Sequence, residues 1–227
     1  MQKKNKRKLP FEILENIGKL EWKEGAYKKQ SWGHSLHRIA PYVGRIKPPF
    51  AHFLIKYISH PGDTILDPFC GIGTIPLESS LLGRNSIGVD LNPYAIAIAE
   101  SKTEHAHNIQ DLIDYVENLE IISKGISIRK IPNWVKEYYN PKTLKEIIYT
   151  LQLLKNDNQK FLYGCLVGIS QGHRPGHLSK PSAWTLPFKP REDDPGEYRD
   201  VKSRLLAKLK RNYKDKIENT GEMEIIN

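Results

Sequence analysis

Thr64-Ile65-Leu66-Asp67-Pro68-Phe69-Cys70-Gly71-Ile72-Gly73-Thr74 decides the fold. Three apolar or β-branched residues run into a carboxylate and then a glycine loop, and Ile75 to Leu82 follows as an amphipathic segment of helical length. A strand, a ligand loop and a helix are written in sequence this way. Gly83 ends the segment, and Ser86-Ile87-Gly88-Val89-Asp90 reads as a second strand closed by a second carboxylate. The stretch therefore predicts the first βαβ unit of a nucleotide-binding α/β domain.

Glycine at 71 and 73 lets the backbone turn with φ above zero and approach a ligand without a Cβ in the way. The helix that follows aims its unpaired N–H groups over the same loop. Asp90 stands 23 positions after Asp67, near the roughly 20-residue spacing at which an acid meets ribose hydroxyls. The loop has neither a third glycine nor a Gly-Lys-Ser/Thr sequence, so the ligand is a nucleoside without a pyrophosphate. S-adenosyl-L-methionine fits that description.

Asp67 to Thr74, followed by Gly83-Arg84-Asn85-Ser86-Ile87-Gly88-Val89-Asp90-Leu91-Asn92-Pro93, resembles the cofactor motif of the DNA amino-methyltransferases, the N4-cytosine and N6-adenine methylases. The resemblance implies a Rossmann-like class I methyltransferase core, partial here and carrying a helical insertion. It also implies that Asp67, Pro68, Phe69, Gly71, Gly73 and Thr74 hold the methionine part of S-adenosyl-L-methionine, Asp90 the ribose, and that Leu91 flanks the adenine. Methylases of RNA guanine carry a similar loop, and Cys70 with Ile75-Pro76 leans toward them. In the DNA family a histidine-arginine segment and a proline-led helix cover the methionine end. His37-Arg38 and Pro49-Phe50-Ala51-His52-Phe53-Leu54-Ile55 resemble these, although a lone histidine such as His37 more often fills a loop.

The 227 residues suffice for one domain of ordinary size with an elaboration. Two cysteines, Cys70 and Cys165, make no disulfide framework and suit a reducing compartment, which places the chain in the cytoplasm by expectation. No apolar run approaches the ~20 residues that span a bilayer, so no membrane partner is expected. Lys3, Lys4, Lys6, Arg7 and Lys8 form a basic tail with no apolar stretch behind it. The formal net charge of +9 favours a polyanionic partner, since lysine and arginine release counterions when they neutralise phosphates. Together with the resemblance to the DNA methylases, the expected partner is DNA.

Four segments are expected. Residues 1–30 hold the basic tail and a short helix over Pro10 to Leu20, and 31–107 the cofactor core, with a helix from Phe50 to Ser59 whose apolar positions 50, 53, 54, 57 and 58 lie on one face. Residues 108–217 form a helical insertion for target recognition, with helices over Ile109–Ile122, Pro141–Leu154 and Lys160–Ser170. It ends in a Gly/Pro loop, Gly172 to Arg191, that mixes aromatics with arginine and lysine as an exposed nucleic-acid strand requires. A helix from Tyr198 to Ile217 follows, with eight basic residues against Asp200 and Asp215, a composition usual for a solvated face. Residues 218–227 begin a further core strand. The histidine pairs 34/37, 105/107 and 173/177 lack a supporting cysteine or carboxylate set, so no metal is expected.

The exocyclic amine of adenine or cytosine is a poor nucleophile and needs acceptors and a stacking ring. The family meets this with Asp/Asn/Ser-Pro-Pro-aromatic. The only Pro-Pro here is Lys47-Pro48-Pro49-Phe50, and a lysine ammonium donates hydrogen bonds but accepts none. Asn92-Pro93-Tyr94 lacks the second proline and reads as a turn into a helix. No catalytic residue is assigned. The expectation is a cofactor-binding part of a DNA amino-methyltransferase of restriction-modification kind, split or truncated, with the tetrapeptide on a second polypeptide. The alternatives are an RNA methyltransferase or a non-catalytic remnant that binds cofactor and DNA.

Overall fold

In the computed structural model, residues 15–19, 21–29, 32–103, 108–172, 176–181, 196–213 and 221–227 are described. The chain forms two compact units. One comprises Met1–His37, Tyr42–Ala99 and Ile217–Asn227, the other Arg38–Pro41 and Glu100–Lys216.

The first unit is built on three parallel strands, β1 (Thr64–Asp67), β2 (Asn85–Val89) and β3 (Met223–Ile226), in the order β1-β2-β3. Leu66 pairs with Ile87, and Ile87 with Glu224. The expected terminal strand therefore joins the sheet beside β2. Ser80 Oγ donates to the Gly221 carbonyl at 2.7 Å, and Asn85 Oδ1 accepts from the Glu222 N–H at 3.0 Å, so side chains of the βαβ unit anchor the returning chain. This is the mixed α/β arrangement of a partial Rossmann-like core.

Helix α1 (Pro48–Ile58) precedes β1, and α2 (Thr74–Leu81) crosses from β1 to β2 against the sheet. Gly88 makes the close approach possible: a Cβ there would lie 2.9 Å from both Ile225 Cδ1 and Pro76 Cγ. Ala51, Ile55 and Ile75 form the core between α1 and α2, with Ile65 and Leu82 against it. The buried face of α1 is thus not the expected row at 50, 53, 54, 57 and 58. Ala51 and Ile55 face inward, while Phe50 meets Trp22 edge-on at 5.4 Å and Phe53 meets Tyr27 at 4.7 Å. The preceding aromatic segment supplies α1 with a second apolar partner, which its own periodicity does not show. Buried Arg84 ties the ends of the two helices, donating to Ser59 Oγ, the Ser59 carbonyl and the Leu82 carbonyl. Helix α3 (Pro93–Glu100) follows β2 and lays Ala99 against Gly73.

The second unit is helical: α4 (Ile109–Asn118), α5 (Asn133–Lys136), α6 (Pro141–Asn156), α7 (Lys160–Ser170) and α8 (Val201–Asn212). Asn108, Asn140 and Asp200 cap α4, α6 and α8 through side-chain oxygens that accept backbone N–H groups. Leu144, Ile147, Leu154, Phe161, Leu162, Leu166, Val201, Leu205 and Leu209 are buried, so α6, α7 and α8 share a core. Helix α8 is therefore no plain solvated face. Lys208 is 5% exposed and donates to the Arg38 carbonyl at 3.1 Å, and Arg204 donates to the His177 carbonyl at 2.7 Å. Among the described residues no helix is long and apolar enough to cross a membrane. The expected helix over Pro10–Leu20 lies largely outside the described residues, as does most of the Gly172–Arg191 loop.

Candidate functional site

The site grows from the carboxyl ends of β1 and β2, the edge where open α/β sheets bind ligands. β1 ends in Asp67. The chain then leaves the sheet through Pro68 and Phe69, and two hydrogen bonds fold it back, from Cys70 N–H to the Val89 carbonyl at 2.9 Å and from Gly73 N–H to the Cys70 carbonyl at 2.8 Å. Gly71 and Gly73 have φ of 51° and 71°, the left-handed region that glycine enters without strain. Gly73 is the N-cap of α2, so the start of that helix faces the loop.

Asp90 closes the loop from β2. One carboxylate oxygen accepts the Gly71 N–H at 2.8 Å and the other accepts the Asn92 N–H at 2.8 Å. Asn92 in turn accepts the Tyr94 N–H at 3.0 Å, so Asn92-Pro93-Tyr94 is a turn into α3. A cavity of about 250 Å³ opens between these elements, and both Asp67 and Asp90 line it. Burial raises the Asp67 carboxyl above its ordinary value, partly offset by the Phe69 N–H it accepts, and nearby Asp90 adds to the rise.

Of the residues expected at the site, Asp67, Phe69, Gly71, Thr74 and Asp90 line one cavity. Gly73 is not on the wall but sets the start of α2, and Pro68 is an exposed link out of β1. Leu91 does not line the cavity; its side chain is 89% exposed just beyond Asp90, and Phe69 is 88% exposed at the mouth. Two large apolar side chains held in solvent beside a polar cavity offer faces for a flat ligand.

The sequence reading assigned no role to the second wall. Tyr42, Gly44, Arg45 and Ile46 line the same cavity from the segment before α1. Tyr42 lies against Gly71, where a Cβ would come within 3.3 Å of its ring, and is stacked on Tyr94 with centroids 6.3 Å apart and planes 11° apart. The available signal was the density of aromatic and basic residues there and Gly44, whose φ is 81°.

His37 is part of a buried network. Its Nε2 meets Glu78 Oε1 at 2.7 Å, and His52 Nδ1 meets Glu78 Oε2 at 3.0 Å. The two histidines hold the Glu78 carboxyl below its ordinary value against the opposing effect of burial. The His37 carbonyl accepts a hydrogen bond from Arg45 Nη1 at 2.6 Å. Lys47 is the N-cap of α1, and Pro48 and Pro49 open the helix with both rings buried.

Residues 3–101 match the family model described as DNA methylase. The Type II methyltransferase M.MjaII of Methanocaldococcus jannaschii is 31% identical over 111 residues, covering 45% of this chain and 21% of that protein. The Type II methyltransferase M.BsoBI of Geobacillus stearothermophilus is 46% identical over 52 residues, 22% of this chain and 10% of the relative. A tRNA (guanine(10)-N2)-dimethyltransferase of Methanocaldococcus jannaschii is 26% identical over 140 residues, 60% of this chain and 36% of that enzyme. The chain thus spans about a fifth or less of the two Type II relatives. No solved structure matches.

Proposed function

We propose, from the match of residues 3–101 to the DNA methylase family model and the likeness to Type II methyltransferases, that the chain binds S-adenosyl-L-methionine in this cavity and serves methyl transfer to an exocyclic amine of adenine or cytosine in DNA. The observation that carries the reading is the convergence of Asp67, Asp90 and the glycine loop on one cavity. The bound group would supply an electrophilic methyl on a sulfonium.

The chain's own residues have the chemistry to hold such a ligand. An ionised carboxylate offers about four lone-pair sites. Asp90 uses one on each oxygen for backbone N–H groups, which fixes its orientation and leaves acceptor capacity for two ribose hydroxyls. An ammonium or sulfonium beside Asp67 would favour its ionised form against the burial and the Asp90 charge that raise its pKa. The glycine at 71 brings backbone to the ligand, with Tyr42 as the facing wall. Exposed Leu91 supplies an apolar face for the purine, and Phe69 stands with the loop at the methionine part.

In this reading the insertion, residues 108–217, contributes target contacts, and a complementing polypeptide contributes the acceptor tetrapeptide. A second reading, methyl transfer to guanine in RNA, draws on the relatives named as tRNA dimethyltransferases. Calorimetric titration with S-adenosylhomocysteine tests the common part: a one-site isotherm supports it, and no heat at millimolar ligand ends it. Incubation with a methyl-labelled donor separates the acceptors, label in DNA favouring the first reading and label in tRNA the second.

A further inference from the structure

Arg45 is the cationic residue among those lining the cavity, which the carboxylates Asp67 and Asp90 also line. A ligand whose amino-acid end carries an ammonium, a sulfonium and a carboxylate matches that distribution only if the carboxylate sits toward Arg45. Resting on the reading of the cavity given above, we propose that Arg45 binds the ligand's carboxylate and that Glu78, through His37, positions it.

Position and linkage support this assignment. Arg45 follows Gly44, whose φ is positive, and both residues line the cavity. A guanidinium presents its donors as a rigid planar fork suited to a carboxylate. The 2.6 Å bond from Nη1 to the His37 carbonyl sets the direction of that fork. His37 is 2% exposed, and its ring is held by Glu78, itself 2% exposed, from the middle of α2. His52 on α1 takes the other carboxylate oxygen, and Trp32 packs edge-on to His52 at 5.2 Å. Gly33 closes over the His37 ring, where a Cβ would meet Cδ2 at 3.2 Å.

The residues that hold the carbonyl are thus fixed from α1, α2 and the turn before them. α2 is also the helix whose first residues, Thr74 and Ile75, line the cavity. Glu78 therefore reaches Arg45 through a single residue, its carboxylate bonded to the His37 ring and the guanidinium to the His37 carbonyl. Arg45 would be a binding residue and Glu78 a positioning residue; neither takes part in bond making.

Two ligands separate the carboxylate from the rest of the molecule. S-adenosylhomocysteine carries the amino-acid carboxylate, whereas 5′-methylthioadenosine has the same nucleoside and thioether without the amino-acid end. In calorimetric titrations of the full chain, Arg45→Ala should weaken S-adenosylhomocysteine by roughly ten- to a hundredfold, the range for a charged hydrogen-bonded contact, and leave 5′-methylthioadenosine within twofold. Arg45→Lys, which keeps the charge but not the fork, should recover part of the loss. Glu78→Gln should weaken S-adenosylhomocysteine about tenfold, again with 5′-methylthioadenosine unchanged; that second ligand also reports that the variant is folded. Equal affinity of wild type and Arg45→Ala for S-adenosylhomocysteine overturns the Arg45 assignment and leaves the cavity reading standing. A parallel loss of both ligands in Glu78→Gln makes Glu78 a structural residue only. Failure of the wild type to bind either ligand overturns the cavity reading and this inference with it.

Discussion

Replacing Asp90 with alanine removes two things at once, and the structure predicts the size of each. The carboxylate accepts the Gly71 and Asn92 N–H groups, each at 2.8 Å, so the variant releases one bond that holds the glycine loop and one that shapes the turn into α3. A hydrogen bond contributes about 0.5–1.5 kcal/mol net, and a buried donor left unpaired costs more. Asp90 lines an open cavity that water can enter, so the lower part of the range applies, roughly 1–2 kcal/mol for the pair. At about 2–4 °C per kcal/mol for a chain of this size, the melting temperature should fall by about 2–8 °C. Ligand binding loses in addition the charge-assisted bonds to the ribose hydroxyls, about 1.5–3 kcal/mol each, so that loss of one alone gives a tenfold to more than hundredfold rise in Kd for S-adenosylhomocysteine. Asp90→Asn, which keeps an acceptor but not the charge, should fall between wild type and alanine. Calorimetry and thermal unfolding on the same samples check both numbers. A lowered melting temperature with unchanged Kd would refute the ribose role and leave Asp90 as a loop anchor; an unchanged melting temperature would refute the anchoring role.

Gly88→Ala should cost about 1–3 kcal/mol by overpacking, because the new Cβ would crowd Ile225, Pro76 and Cys70 at 2.9–3.0 Å; a urea midpoint equal to wild type would contradict the close α2–β2 approach. Arg84→Lys cannot reproduce the three bonds to Ser59 and Leu82, and should lose about 1–3 kcal/mol of thermal or urea stability. Burial lowers the Lys208 amine from 10.5 to about 8. The unfolded chain then binds the proton more tightly than the folded one, so the penalty for burying Lys208 is fully present below pH 8 and disappears as pH rises toward 10.5. The stability difference of Lys208→Met minus wild type should therefore fall by about 3 kcal/mol between pH 8 and 10.5, at roughly 1.4 kcal/mol per pH unit; a pH-independent difference in urea titrations would show that Lys208 keeps its ordinary affinity for the proton.

The βαβ unit was legible because its signals are contiguous. Apolar strand, acid, glycine turn and amphipathic helix follow one another from Thr64 to Asp90, and each states its own backbone preference. The terminal strand was legible from its alternation alone, and its place beside β2 gives a parallel sheet of the kind the motif predicts. The buried face of α1 was not, because Phe50 and Phe53 are as apolar as Ile55 and only the arrival of Trp22 and Tyr27 decides which row faces which partner. Glu78 was read as part of an amphipathic helix, yet it is buried and bonded to His37, 41 positions earlier. Lys208 and Arg204 were counted as surface charge, yet their donors reach the carbonyls of Arg38 and His177. Separations of 27–170 positions leave no trace in local composition.

The sequence alone determined that a glycine loop and two strand-ending carboxylates occur in the order and spacing of a nucleoside site, since backbone conformation there depends on neighbouring residues. Tertiary structure alone decided that Asp67 and Asp90 line one cavity, that Tyr42 and Arg45 line it too, and that a buried carboxylate joins two histidines from different elements. The physical reason is that φ and ψ respond to local side chains, whereas burial, pKa and the direction of a guanidinium are set by groups brought together only when the sheet and its helices pack.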